Sequence, residues 1–257
     1  MELKKDQKEE LYWQGFTILP GIVPGELVDR TLATVNYSLG SQGIPPEEIA
    51  GYNSRSFCPE LTNNATILDL VNQTPLRSLA ESAIGPGKLN EQKGCQIALR
   101  FPRPYTPQAA SGPHMDGMHA PLNGVPSGQI LSFTALLGIF LSDTPHDDMG
   151  NLKVWPGSHR QYEAYFREYG PEKLLEGMPP VELAAPMQVK AKAGDAILCH
   201  YQIGHTVAPN FSPHVRYAIY FRLMAKGHKE LGLHALSDIW QEWDGMQEIV
   251  KQPVAHK

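Results

Sequence analysis

Cysteine is scarce in this chain. There are three, Cys58, Cys95 and Cys199, odd in number and widely scattered, with no C-x-x-C pair. That excludes a disulfide framework and leads us to expect free, buried or half-buried thiols in a reducing compartment. Long hydrophobic runs are missing too: no stretch approaches the roughly 20 apolar residues a spanning helix needs, so no membrane partner is expected. Positive charge is not in surplus. Lys and Arg total 22 against 27 Asp and Glu, giving a net charge of −5 and a pI near 6.1. This removes the electrostatic case for nucleic acid or an anionic membrane surface. Residues 1–10 are rich in Lys, Asp and Glu and show no apolar segment of a secretory signal, so a cytoplasmic location is the expectation.

What is present reads as an ordinary globular protein: 42% hydrophobic and 19% charged residues over 257 positions, enough for one large domain with a substantial core. Proline (22) and glycine (23) are spread along the chain, which favours many turns and short strands over a helical bundle.

The periodicities predict a helix over 3–15, a short strand over 16–20 and a second helix over 25–39, with Leu11, Trp13 and Phe16 as early apolar anchors. A loop spans 40–64, followed by short helical pieces at 67–71 and 76–84 that stop at Gly85-Pro86-Gly87. Strands are expected at 94–101, 130–141, around 152–154, at 187–192, 196–200 and 215–224. The run 130–141 is apolar nearly throughout and suits a central strand buried on both faces. Ser158 reads as the N-cap of a helix over 159–169, and the tail 237–250 as a helix packed on the outside. With no alternation of strand and helix, the fold class is mainly β with flanking helices, an antiparallel jelly roll (a double-stranded β-helix, cupin-like). We expect one domain over 1–257: a helical part at 1–93, a jelly-roll core at 94–225 and a C-terminal helix at 231–250.

The stretch with chemical content is Pro113-His114-Met115-Asp116-Gly117. On a strand, His114 and Asp116 point the same way and Met115 the other. A His and an Asp projecting together are two of the three ligands of a facial 2-His-1-carboxylate site. His205, 89 positions after Asp116, is the candidate second histidine, because several strands between them let the chain return. Arg216 follows eleven positions later at the start of a mostly apolar strand, where a guanidinium needs an anion and can grip a carboxylate with two hydrogen bonds.

Other residues stay open between two roles. Gln96 and Arg100 share the polar face of the 94–101 strand, a face that belongs either to a site or to solvent. Arg100 and Arg222 either bind an acidic substrate or pair with surface carboxylates such as Asp143 or Asp147. His119 lies in the Gly/Pro-rich run 117–128, placed to hang at the mouth of a site, and reads as a substrate-pocket residue rather than a further ligand. His159 reads as a helix-start or pocket-rim residue, Trp155 as a substrate-stacking or core ring, and His200 as structural or supporting.

In order along the chain, His114-x-Asp116, Gly150-x-Leu152 through Pro156-Gly157-Ser158-His159, Gly194-Asp195, and His205 with Arg216 eleven residues on resemble the phytanoyl-CoA dioxygenase family of Fe(II)- and 2-oxoglutarate-dependent oxygenases. The resemblance runs over about residues 11–224. It implies that His114, Asp116 and His205 hold the iron, that Arg216 pairs with the distal carboxylate of 2-oxoglutarate, and that Gln96 and, more weakly, Thr134 touch the co-substrate. The implied cofactor and co-substrates are Fe(II), 2-oxoglutarate and O2, and the implied reaction is oxidation, usually hydroxylation, of a C–H bond with release of succinate and CO2. The carboxylate at Asp116 argues against a halogenase. Two features depart from the family: Gly138 stands where an aromatic residue is common, and Val207 where a small polar one is found. Nothing here is basic enough for the phosphates of coenzyme A, so a small organic substrate is expected. The alternatives are a non-catalytic metal-binding jelly roll that binds or senses a ligand, and a zinc hydrolase on the same three ligands.

Overall fold

An apolar strand survives in the middle of a sheet only if both its faces are covered and both its edges paired, and Ala135–Phe140 (β3) meets both conditions. In the computed structural model, which describes residues 1–45, 47, 52, 55–103, 112–120 and 123–251, every residue of β3 is buried. It lies at the centre of a five-stranded antiparallel sheet. The other strands are β1 (Phe16–Leu19), β2 (Gln96–Arg100), β6 (Ala196–His200) and β8 (Arg216–Leu223), in the order β1-β6-β3-β8-β2. A smaller antiparallel sheet is built from β4 (Leu152–Val154), β5 (Met187–Gln188) and β7 (His205–Val207), in the order β5-β4-β7.

The two faces of the large sheet have different neighbours. Ile97 and Leu99, Leu137 and Ile139, Leu198, and Ile219 and Phe221 point into a core shared with α1 (Lys5–Gln14), α2 (Gly25–Gln42), α3 (Ala65–Asn72) and α4 (Leu76–Ile84). The opposite face carries Ala98, Leu136, Phe140, Cys199, Ala218 and Tyr220, which pack with Leu152 and Val154 of the small sheet and with Tyr162 and Phe166 of α5 (Ser158–Tyr169). Period-two alternation assigns Gln96 and Arg100, and Arg216 and Arg222, to this second face. The site therefore opens between the sheets.

Several expectations need correction. Among the described residues, helical residues outnumber those in strands, so the helices are more than a fringe. The 130–141 run enters the sheet only at Ala135: Leu131 N–H donates to the Gly117 carbonyl of a loop, and Thr134 N–H makes the run's bond to Leu223 of β8 just before the strand begins. The 187–192 alternation yields a two-residue strand. Ser158 is the first residue of α5, not its cap: its Oγ accepts from Gly204 N–H at 2.8 Å, and Gly157, at φ 78°, holds the cap position. Trp13 is 43% exposed and lies under the Arg160 guanidinium.

The tail is not one helix over 231–250. It runs as α6 (His228–Leu231), 3-10 turns at Gly232–Leu236 and Asp244–Met246, and α7 (Gln247–Val250). Nor does it sit outside: Trp243 and Met246 are fully buried and join the helical core. Gly245 allows this, since a Cβ there would collide with the Ser82 carbonyl oxygen of α4 at 2.0 Å. The expected loop over 40–64 contains a 3-10 turn at Pro59–Leu61, and part of it lies outside the described residues. No helix among them is long and apolar enough to cross a membrane. All three cysteines are free, Cys58 and Cys199 buried.

Candidate metal centre

His114 and His205 are held together by main chain before any side chain acts. Each N–H donates to the other's carbonyl at 3.0 Å, an antiparallel bridge that adds His114 to the edge of the small sheet beside β7. A reciprocal pair of this kind sets the two side chains on one side of the ladder, and the rings lie 4.5 Å apart, centroid to centroid. Gly204 lets the segment sit this close, because a Cβ there would press on the Tyr162 hydroxyl and the Pro113 Cβ.

His114 is a single bridge residue rather than part of a strand, and Asp116 already begins a turn with Gly117 at φ 85°. A Cβ on Gly117 would meet the Leu131 carbonyl oxygen at 2.2 Å, so glycine is what lets this turn pack. The turn still carries Asp116 toward the histidines. Its Oδ1 lies 3.8 Å from His114 Nε2 and 3.6 Å from His205 Nε2. Among the described residues, this is the group of three His, Cys, Asp or Glu side chains that could hold a metal, with all ligand atoms within 4.8 Å of one another. His205 Nδ1 lies 3.1 Å from the Ile203 carbonyl. With Nδ1–H donating there, Nε2 keeps its lone pair for a metal.

The electrostatics suit a cation. Burial alone would raise the Asp116 carboxyl, but the Arg222 guanidinium and the two imidazoles hold it well below the usual carboxylate range. Burial, with His205, Arg100 and Arg222 nearby, pushes the His114 imidazole down to about 4 against the pull of Asp116. For His205, burial alone would lower the imidazole, but the neighbouring Asp116 carboxylate holds it above the ordinary value. Two imidazoles and one carboxylate form a compact donor set with a cavity of about 720 Å³ beside it. The Gly/Pro-rich run lines that cavity through Gly117, Met118, His119, Ala120, Asn123, Gly124 and Val125.

Arg216 is 2% exposed. Its Nε donates to Gly150 O at 2.7 Å and Nη1 to Ala98 O at 2.9 Å, while Nη2 is buried without a partner. With Nε engaged, a two-bond grip on a carboxylate falls to the outer pair, Nη1 and Nη2. Arg100 lies directly across the ladder from Arg216, lines the cavity, and donates to the neighbouring Leu99 carbonyl. Burial and the adjacent Arg216 push its guanidinium down to about 10. Two facing arginines repel unless an anion joins them. Tyr220, on the same face, has a buried hydroxyl without a partner, and its ring covers Gly138, where a Cβ would come within 2.7 Å of Tyr220 Cε1. The ring absent at position 138 of β3 is thus supplied by Tyr220 of β8.

Other predicted residues fall elsewhere. Gln96 lines the cavity, but its Oε1 accepts from Arg222 Nη2 at 3.1 Å and its Nε2 reaches the Arg55 carbonyl. Thr134 lies away from the cavity, its Oγ1 accepting from Ala225 N–H at 2.8 Å. Trp155 is buried under the Lys153 ammonium, again outside the cavity lining. His159 is no rim residue: it is fully buried, with Nε2 3.0 Å from the Tyr12 carbonyl. His200 is structural, stacked on Trp243 and bonded to the Ile239 carbonyl. His119 does line the cavity, held by Val125 O. Asp143 and Asp147 engage Ala193 N–H and Lys190 rather than Arg100 or Arg222.

Sequence reasoning missed the pairing of Arg222 with Asp116. The available signal was the shared face of Arg216, Tyr220 and Arg222 on one strand.

A two-histidine, one-carboxylate triangle on a sheet edge, open to a cavity and flanked by arginines, defines a class: mononuclear metalloenzymes that keep coordination positions free for other ligands. The comparisons make this specific. Residues 14–218 match the model of the phytanoyl-CoA dioxygenase (PhyH) family, and the chain belongs to that family. It is accordingly an oxidoreductase of the Fe(II)- and 2-oxoglutarate-dependent kind, using O2.

Solved structures share the fold. The non-haem α-ketoglutarate-dependent carbocyclase SnoK from nogalamycin biosynthesis aligns at 20% identity and TM-score 0.57, over 86% of this chain and 84% of that one. The epimerase SnoN from the same biosynthesis aligns at 18% and 0.58, over 86% and 82%. HygX from Streptomyces hygroscopicus, with nickel and 2-oxoglutarate bound, aligns at 15% and 0.55, over 86% of each chain. No curated protein matches the chain significantly.

Proposed function

We propose that the chain is a single jelly-roll domain that hydroxylates a C–H bond of a small organic molecule, with 2-oxoglutarate converted to succinate and CO2. The observation that carries this reading is the His114–Asp116–His205 triangle, its ligand atoms within 4.8 Å of one another and one side open to the cavity. His114 Nε2, His205 Nε2 and Asp116 Oδ1 would hold Fe(II), which supplies the oxidising chemistry when bound. Arg216 would hold the distal carboxylate of 2-oxoglutarate, with Gly150 O and Ala98 O fixing its guanidinium. The covered sheet face keeps water from that end, and Met118, His119 and Asn123 face the substrate. The remaining lining, including Met118, Leu131, Leu136 and Met178, suits an organic body with apolar surface.

The test is anaerobic addition of Fe(II) and 2-oxoglutarate together. A visible metal-to-ligand charge-transfer band is expected in the wild type and its loss in His114→Ala. On exposure to O2, succinate should form in the wild type alone. Absence of the band in folded wild-type protein would sink the reading, and turnover with zinc and no 2-oxoglutarate would replace it with a hydrolase.

A further inference from the structure

The two oxygens of Asp116 face different partners. Oδ1 looks toward both imidazoles. Oδ2 is taken by Arg222, whose Nε lies at 3.1 Å and Nη2 at 2.7 Å. The same Nη2 donates to Gln96 Oε1 at 3.1 Å, and Gln96 in turn reaches the Arg55 carbonyl at 3.4 Å. Under the guanidinium lies the Phe133 ring, 5.7 Å from Cζ to centroid. Arg222 is thus held from the strand below, by a ring and by an amide, in an orientation that closes one carboxylate oxygen. Charge-assisted bonds of this kind are about twice as strong as neutral ones, and two of them meet on Oδ2 of the largely buried carboxylate although the Arg222 side chain itself is 43% exposed.

We propose that Arg222 is a positioning residue that restricts Asp116 to a single free oxygen, and that Gln96 serves Arg222 rather than the co-substrate. The inference rests on the metal centre proposed above. A carboxylate can bind a cation through one oxygen or two. Three protein atoms on one face leave three positions open, and a chelating 2-oxo acid with O2 needs all of them. If Oδ2 also turned to the metal, one of those positions would close. Arg222 prevents this by geometry. Removing it therefore impairs co-substrate chelation more than it impairs metal binding, the reverse of what loss of a ligand does.

The experiment uses full-length protein, Mn(II) and Co(II) as metal probes, and 2-oxoglutarate, in wild type, Arg222→Met and Arg222→Lys, with folding checked by circular dichroism. In Arg222→Met, Mn(II) should still bind with wild-type order of affinity. The affinity of the metal-loaded variant for 2-oxoglutarate should fall by about tenfold or more, a tenfold loss being about 1.4 kcal/mol. Before any 2-oxoglutarate is added, the visible spectrum of the Co(II) variant should already differ from wild type, as a second carboxylate oxygen takes the place of one exchangeable ligand. Arg222→Lys keeps the charge without the two-bond grip and should change in the same direction, which keeps the test usable if the methionine variant does not fold.

The proposal is overturned if 2-oxoglutarate affinity is unchanged, if Arg222→Lys behaves as wild type, or if the Co(II) spectrum differs only after 2-oxoglutarate is present. The last result would make Arg222 a direct co-substrate contact. Failure of the folded wild type to bind Mn(II) or Co(II) would instead overturn the metal-centre reading, and this inference with it.

Discussion

Among the described residues two histidine pairs lie close, and they have opposite fates. His114 and His205 lie with ring centroids 4.5 Å apart, and His159 and His200 at 5.6 Å. The first pair shares a carboxylate and borders a cavity. The second is sealed among Trp240 and Trp243, its Nε2 atoms turned to the carbonyls of Tyr12 and Ile239. Two adjacent imidazoles therefore do not make a metal site. The carboxylate supplies charge and the open side supplies access, and the second pair, fully enclosed, belongs to no such metal-holding group among the described residues.

The strongest way to break this contrast is to take away the carboxylate. In Asp116→Ala, Mn(II) affinity measured by calorimetry should fall by more than about 100-fold, beyond the range seen for supporting residues. The first pair would then be as inert as the second. Retained metal binding would remove Asp116 from the ligand set.

A smaller effect separates the pairs by pH. Burial pushes the His200 imidazole down from an ordinary 6.5 to about 4, and burial with neighbouring His200 lowers His159 as well. A depressed histidine stays neutral in the folded state while the unfolded chain takes up the proton. Stability from this pair is thus fully present above pH 6.5 and is lost as pH falls from 6.5 toward 4, by on the order of 3 kcal/mol from His200 alone. Urea denaturation across that window should show the loss, and His200→Phe should flatten it. An unchanged slope in the variant would assign the loss to other groups.

The smallest expected effect concerns Thr134→Val. It removes the acceptor for Ala225 N–H and should cost about 1–3 kcal/mol in stability with no change in 2-oxoglutarate affinity. A selective loss of co-substrate binding would return Thr134 to the site.

Local pattern made the sheet strands and the first helices legible, because burial on alternate or helical positions is written into the residues themselves. The triangle was legible for a less direct reason. His114 and Asp116 converge, but through a bridge and a glycine turn rather than the strand that their spacing suggested. Of the two readings of His159, helix start holds and pocket rim fails: a histidine early in a helix reads the same at a rim or in a core, and what decides is the Tyr12 carbonyl, 147 positions away. Arg222 could be put on the cavity face from the strand period, whereas its partner Asp116, 106 positions distant, could not be named. The tail failed for a similar reason: Trp243 and Met246 have helical spacing, but Gly245 seats that segment against α4 through a contact that no local pattern encodes.

The reciprocal backbone bridge between His114 and His205 has a consequence for how such a protein can change. The bridge is made of main-chain bonds whose close approach rests on Gly204, so the spacing of the two imidazoles is set outside the stretch that follows Gly117. The cavity-lining positions in it, such as Met118, His119 and Asn123, can be replaced without retuning the two histidines. Selection, natural or in the laboratory, is free to alter what enters the cavity while the reactive end keeps its dimensions.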